Sequence, residues 1–338
     1  VSRGFSGAAK AVAIGEYIRI LTGGRGSISL YALAVCVAFF FLHTRGLKAS
    51  TQFQNITTAI KVLIVFGIAA AGLAAGEFAG FQPSVTSASG PTAGLLGFAL
   101  AYQSISFAYY GWEDAAKMAE EVEDPGTALP KILVGGSLAV MVLYLLLNTA
   151  FLAALTPAEM AGSELVAQDA ITAVFGSAAG TVVVVASLLI LISSLNVNFL
   201  GLPRVAYGLA QHGLAPKAFA EVDARGTPRK ALYFISAWIG LMALSGQLEL
   251  LIRFMMTVAI TVDTMVLMGY FKLRWSKPDL ERPFNMPGHP WLPAVTVALY
   301  LAILAILVGT QPQLALGAGA MIAAIFIAGF FTARRNGG

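Results

Sequence analysis

Charged residues are scarce in this chain: Asp, Glu, Lys and Arg make up only 11% of its 338 residues, against roughly a quarter in soluble domains. That shortfall excludes an ordinary water-soluble globule. Cysteine occurs once, as Cys36, so no intramolecular disulfide can form. The three histidines, His43, His212 and His289, are scattered and build no metal-ligand set, and the HExxH, paired CxxC and GxxxxGK(S/T) patterns are missing. With no catalytic constellation left, neither an enzyme activity nor a cofactor or metal is expected. Alternating segments of about ten residues, the mark of a membrane β-barrel, are absent too. No cleavable signal sequence is seen, and residue 1 is Val.

Apolar length is what the chain has in abundance. It is 58% hydrophobic, with a mean hydropathy of +0.79. Apolar runs of about 20 residues, enough to cross a hydrocarbon core of about 30 Å, recur ten times, over 4–22, 28–43, 53–76, 93–116, 130–154, 179–203, 231–246, 250–271, 291–310 and 313–333. The fold class is therefore an all-α integral membrane protein, a single transmembrane domain over 1–338. Fifteen Lys and Arg residues, from Arg45 and Lys48 to Arg334 and Arg335, fall on one side of these segments, and Arg25 alone on the other. The positive-inside rule puts that basic side, both chain ends and the 117–131 loop in the cytoplasm. The net charge of +4 is this loop bias, not a nucleic-acid patch. Of two long outer connections, 76–92 is rich in Gly, Ser and Pro. The other, 156–176, opens with Thr156, Pro157 and Glu159, a capping-box signature that predicts a short extracellular helix.

Charges inside the apolar runs carry the functional signal. Lys61 lies about nine residues, or ~13 Å at helical rise, into its segment. It reads as an ion-coupling or gating residue, or as a cation that bridges helices through carbonyls. Asp263 is also near mid-segment, where a hydrogen-bonded structural carboxylate is the simpler reading. Glu16 and Arg19 are spaced as an i,i+3 pair, and Arg3, Arg19 and Arg253 are close enough to segment ends to snorkel.

The stretch FAYYGWEDAAKMAEEVEDP, 107–125, turns from apolar to acidic within a few residues. Either the helix ends at Tyr110 and Glu113 stands in cytoplasmic water, or it breaks at Tyr110-Gly111 and resumes over 113–121. The helix-forming residues after Trp112 favour a break, and irregular backbone at membrane depth marks transporter binding sites.

That same run, extended to Leu133, resembles the sixth helix and following loop of amino acid–polyamine–organocation permeases. Residues 44–73, with Lys61, are similar to the fourth-to-fifth helix region of that family. Residues 193–232 are similar to its eighth helix and the next loop, and KLRWSKPDLERPFNMPGHPWLP, 272–293, to the connection after its tenth. The resemblance implies a leucine-transporter-like bundle of inverted repeats in which the ten segments correspond to helices 3–12, and helices matching the first two are not found in this sequence. It implies that Ala108, Tyr109, Tyr110 and Gly111 offer carbonyls to a substrate ammonium, that Phe107 closes over the substrate and that Trp112 flanks the break. Glu113 matches a glutamate carried by cationic exchangers, and bulky Tyr110 implies a modest pocket. Lys61 matches a lysine that stands in for a sodium ion, with Ser193, Ser194 and Asn196 as its candidate neighbours or as ordinary interhelical hydrogen-bonding groups. The outer loop TGGRGS lacks the cysteine that joins some relatives to a heavy chain, so no disulfide-linked heavy chain is expected. The implied function is a secondary active amino acid transporter of the plasma membrane, working by alternating access, coupled to protons or to exchange and not to sodium. Its partners are the amino acid, protons and the lipid bilayer. The alternatives are a transport-incompetent permease fragment and a polyamine or cationic amine antiporter.

Overall fold

A computed structural model describes residues 2–44, 47–75, 91–111, 122–223, 226–282 and 284–336. Twelve α-helices follow one another among them: α1 (Ser2–Leu21), α2 (Ile28–Thr44), α3 (Leu47–Ala75), α4 (Pro91–Tyr109), α5 (Pro125–Ala154), α6 (Pro157–Gly162), α7 (Val166–Phe175), α8 (Ser177–Gln211), α9 (Arg229–Ala243), α10 (Leu248–Ser276), α11 (Trp291–Thr310) and α12 (Pro312–Asn336). A 3₁₀ turn, Lys217–Ala220, lies between α8 and α9, and the described residues contain no strand. Each of the ten apolar runs thus falls, over its described residues, mainly on one of these helices. Six stretches, 54–74 of α3, α5, α8, α10, α11 and 312–329 of α12, are long and apolar enough to cross a membrane, while α2, at 17 residues, is a shorter apolar helix. Helix α1 has the length but carries Lys10, Glu16 and Arg19, which lower its apolarity.

Two compact units divide the chain. The first comprises 1–86, 144–251 and 324–338. In it α1 packs against α2, α8 and α9, and small residues allow the close approach, since helices in lipid associate through packing rather than hydrophobic expulsion. A Cβ added at Gly15 would lie 2.6 Å from the Ile28 carbonyl oxygen, and one at Gly7 would lie 2.9 Å from Ile239 Cδ1. Ala8, Ala9, Ala11, Val12 and Ile14 are all fully buried. Aromatic pairs lock the same core: Phe5 meets Trp238 edge-on at 5.9 Å, and Phe39 stacks on Phe199 at 5.6 Å.

The second unit comprises 87–143 and 252–323. Its α4 packs against α11, with Tyr102 and Tyr300 edge-on at 6.4 Å. Buried Gln103 donates to Thr257 Oγ1 at 3.0 Å and to the Arg253 carbonyl at 3.4 Å, tying α4 to α10.

The 156–176 connection folds as α6 and α7. Thr156 is the N-cap of α6, its hydroxyl accepting from the Glu159 N–H while the Glu159 carboxylate accepts from the Thr156 N–H. Pro157 occupies the first turn, where its missing N–H costs nothing.

Candidate functional site

Pro91 opens α4, and the helix runs to Tyr109. There the geometry tightens: the Tyr110 N–H bonds the Phe107 carbonyl at 3.2 Å, three residues back instead of four. Gly111 follows with a φ of +134°, a backbone region that side-chain-bearing residues avoid. The helix therefore stops at the Tyr110-Gly111 step that the sequence singles out, with Phe107, Tyr109, Tyr110 and Gly111 half-buried and Ala108 exposed. Trp112 and Glu113 lie outside the described residues, as does the stretch in which the helix was expected to resume. Description returns at Val122, and the Asp124 carbonyl accepts from the Thr127 and Ala128 N–H groups to start α5.

The second group of candidates sits on one turn of α8 in the first unit. Ser193 and Asn196 are fully buried. Thr57 Oγ1 donates to Ser193 Oγ at 2.8 Å, and Asn196 Nδ2 donates to Gln54 Oε1 at 3.0 Å. Gln54 in turn donates to Thr58 Oγ1 at 3.1 Å. On its other side Asn196 Oδ1 meets His43 Nε2 at 3.0 Å, so the direction of the chain requires the proton on Nε2. The Lys10 ammonium donates to the Ser194 carbonyl at 3.4 Å. One turn of α8 is thus gripped from α1, α2 and α3.

Lys61 does not join this group. It is half-buried on α3, and no hydrogen bond or ion pair to it occurs among the described residues. Four members of the cluster, Lys10, His43, Gln54 and Thr57, escape a reading of the sequence that starts from single charges. The signal was nonetheless present. Gln54, Thr57 and Lys61 recur at i, i+3 and i+7, one face of α3, and Asn196 and Ser193 recur at the same spacing on α8. Polar side chains in register on two apolar helices are the usual cross-links of membrane bundles.

Asp263 is not isolated, since it stands within electrostatic reach of Tyr300, beside Tyr102. No group of three or more His, Cys, Asp or Glu able to hold a metal occurs among the described residues.

The family model described as "Amino acid permease" matches residues 5–331, nearly the whole chain. The chain belongs to the amino acid permease family. It is 26% identical over 278 residues to solute carrier family 7 member 12 of Mus musculus, covering 80% of this chain and 58% of that protein. It is 27% identical over 284 residues to the mouse b(0,+)-type amino acid transporter 1, covering 82% and 57%. The branched-chain amino acid permease BcaP of Bacillus subtilis (strain 168) is 23% identical over 315 residues, covering 90% and 66%. This permease-family chain therefore spans a little under two thirds of the length of these relatives. One is named as a solute carrier, one as an amino acid transporter and one as an amino acid permease, and the family is one of transporters rather than enzymes. For a multi-pass membrane protein of this family, the two features above, the end of α4 at Tyr109 and the cross-linked α8 turn, are the places where chemistry other than packing is concentrated.

Proposed function

We propose that this chain moves amino acids across the plasma membrane as a secondary active transporter, by alternating access and with proton or exchange coupling rather than sodium. The observation that carries the reading is the end of α4: a helix of a permease-family protein that stops at Tyr109 and passes through Gly111 at a φ of +134°. A helix C-terminus presents carbonyl oxygens and the negative end of the helix dipole, which suit an ammonium group. Phe107, Ala108, Tyr109, Tyr110 and Gly111 are the substrate contacts in this reading, and Trp112 and Glu113, outside the described residues, complete the proposed set. Ion coupling belongs to the α8 turn of Ser193, Ser194 and Asn196, and to Lys61 on the neighbouring α3. Segment 93–111 and the α2 and α8 segments fall in different compact units, as parts that move against one another must. The Lys and Arg bias supports cytoplasmic ends for the chain.

Purified protein in proteoliposomes, given labelled leucine or arginine with and without a pH gradient, tests the reading. Uptake above protein-free vesicles is expected, and is expected to fall on Gly111→Ala, because a Cβ strains the backbone at that φ by about 1–3 kcal/mol. Absence of uptake of either amino acid would sink the proposal. Uptake that requires sodium would overturn the coupling.

A further inference from the structure

Lys10 is the charge that the transport reading leaves unused. It lies six residues, about 9 Å of helix, into its apolar segment, too deep to be one of the snorkelling arginines. Its neighbours Ala8, Ala9, Ala11, Val12 and Ile14 are at 0% exposure, while Lys10 itself is half-buried. An ammonium near the bilayer centre costs about 2.5–3.5 kcal/mol unless it meets a partner, and residues kept at that cost are ordinarily functional. Its partner, the Ser194 carbonyl, belongs to the α8 turn whose other side chains are held from α2 and α3. Any change in how Lys10 engages that carbonyl is therefore transmitted to three further helices.

Register separates Lys10 from Lys61. The pairs Gln54 with Asn196 and Thr57 with Ser193 run antiparallel along α3 and α8. The next rung on that stripe pairs Lys61 with Leu189, whose side chain is apolar. The α8 turn is thus supplied with an ammonium from α1.

We propose that Lys10 is an intramembrane coupling residue, a protonatable amine seated on the α8 turn that gives up its proton to one aqueous phase and recovers one from the other during the transport cycle. This rests on the permease reading above. The titratable groups around it leave it the only ammonium on that turn among the described residues. On α2 they are Tyr31, bonded to the Arg25 carbonyl, Cys36, and His43, which bonds to Asn196. On α8, Arg204 and Tyr207 lie beyond the turn by about three turns of helix. On α9, Arg229 and Lys230 are tied to Asp223 and Glu221, and Tyr233 follows one turn later. On α1 itself, Arg3 and Tyr17 stand about two turns to either side, and Glu16 faces away from Lys10 by helical periodicity.

The test uses the full protein with two independent readouts. In proteoliposomes, leucine uptake is followed from about pH 5 to about pH 9, a range wide enough to reveal one titrating group. Lys10→Arg, which keeps a cation that does not deprotonate, is expected to fold and bind but to lose most of the pH dependence, and Lys10→Met to lose it entirely. A structural lysine would instead be rescued by Arg, so an unchanged pH profile in Lys10→Arg would overturn the proposal. In detergent, the pH dependence of acetic anhydride labelling is read by mass spectrometry for Lys10 and for exposed Lys217. A midpoint for Lys10 distinct from that of Lys217 supports the assignment, and coincident midpoints overturn it. Wild-type protein that takes up neither leucine nor arginine refutes the transport reading, while the labelling comparison still decides whether Lys10 titrates as a distinct group.

Discussion

Lys10 and Lys61 pose the same question in sequence, a lysine deep in an apolar run, and receive opposite answers. Around Lys10, which is itself half-buried, Ala8, Ala9, Ala11, Val12 and Ile14 are fully buried, and Gly15 brings α1 within backbone distance of α2. Around Lys61, Ile60 is 41% exposed, Val62 45% and Leu63 73%. The first lysine, half-buried, has protein oxygen within reach. The second stands on a helix whose flanks face outward, one rung past the last polar pair. The surroundings of a buried charge, not its depth, decide what it engages. For a cation in hydrocarbon that difference is the whole of its energetics, since a partner offsets a desolvation cost that lipid cannot.

Four substitutions break or sharpen this contrast, measured as shifts in the thermal unfolding of detergent-solubilised protein unless stated. Asn196→Leu should have the largest effect. It strands His43 Nε2 and Gln54 Oε1 inside the bundle, at about 1–3 kcal/mol for each group, and stability unchanged by it would mean that the α8 turn is not the hub drawn here. Next comes a matched pair of glycines. Gly15→Ala pushes a methyl into the Ile28 carbonyl oxygen and should cost about 1–3 kcal/mol. Gly67→Ala on α3, with nothing within 4 Å, should be neutral or stabilise by about 0.5–1 kcal/mol through helix propensity. Equal responses would erase the distinction between the two helices. Thr57→Val removes one interhelical hydrogen bond, for which about 0.6 kcal/mol is typical in membranes, and a double-mutant cycle with Ser193→Ala should recover that coupling.

The smallest effect is expected outside the membrane, where water replaces any lost partner. The Thr156 N–H, and after it the Thr156 hydroxyl, hold the exposed Glu159 carboxyl below its ordinary value of 4.5. Its contribution to the cap of α6 is therefore fully present above that value and fades as pH falls through the lower folded value. Protection of the amides over 157–162 against hydrogen exchange, corrected for the intrinsic pH dependence of exchange, should fall in acid in the wild type and already be low at neutral pH in Glu159→Gln. An acid response that survives in the variant would assign the cap elsewhere.

Much of the architecture was legible in the sequence because a membrane leaves the backbone few choices. The described parts of the ten apolar runs are mainly helical because every N–H and C=O must be satisfied within the segment, and the Thr156, Pro157, Glu159 pattern became a cap because its bonds are local. The end of α4 was legible for the same reason: Gly111 interrupts an apolar run in a way that needs no distant residue to interpret. The α8 turn was only half legible. Ser193, Ser194 and Asn196 could be named, but their partners could not, because Lys10 and His43 are more than 150 positions away from the groups they bond.

By itself, then, the sequence determined the solvent this protein lives in, the positions of its helices and the point at which α4 gives way, all consequences of hydropathy and local backbone chemistry. Which lysine meets the α8 turn was decided only by tertiary structure. Two ammonium groups of equal intrinsic character are available to one set of buried oxygens, and the packing of α1 against α8 places Lys10, not Lys61 on the far half of α3, within hydrogen-bonding distance of the Ser194 carbonyl.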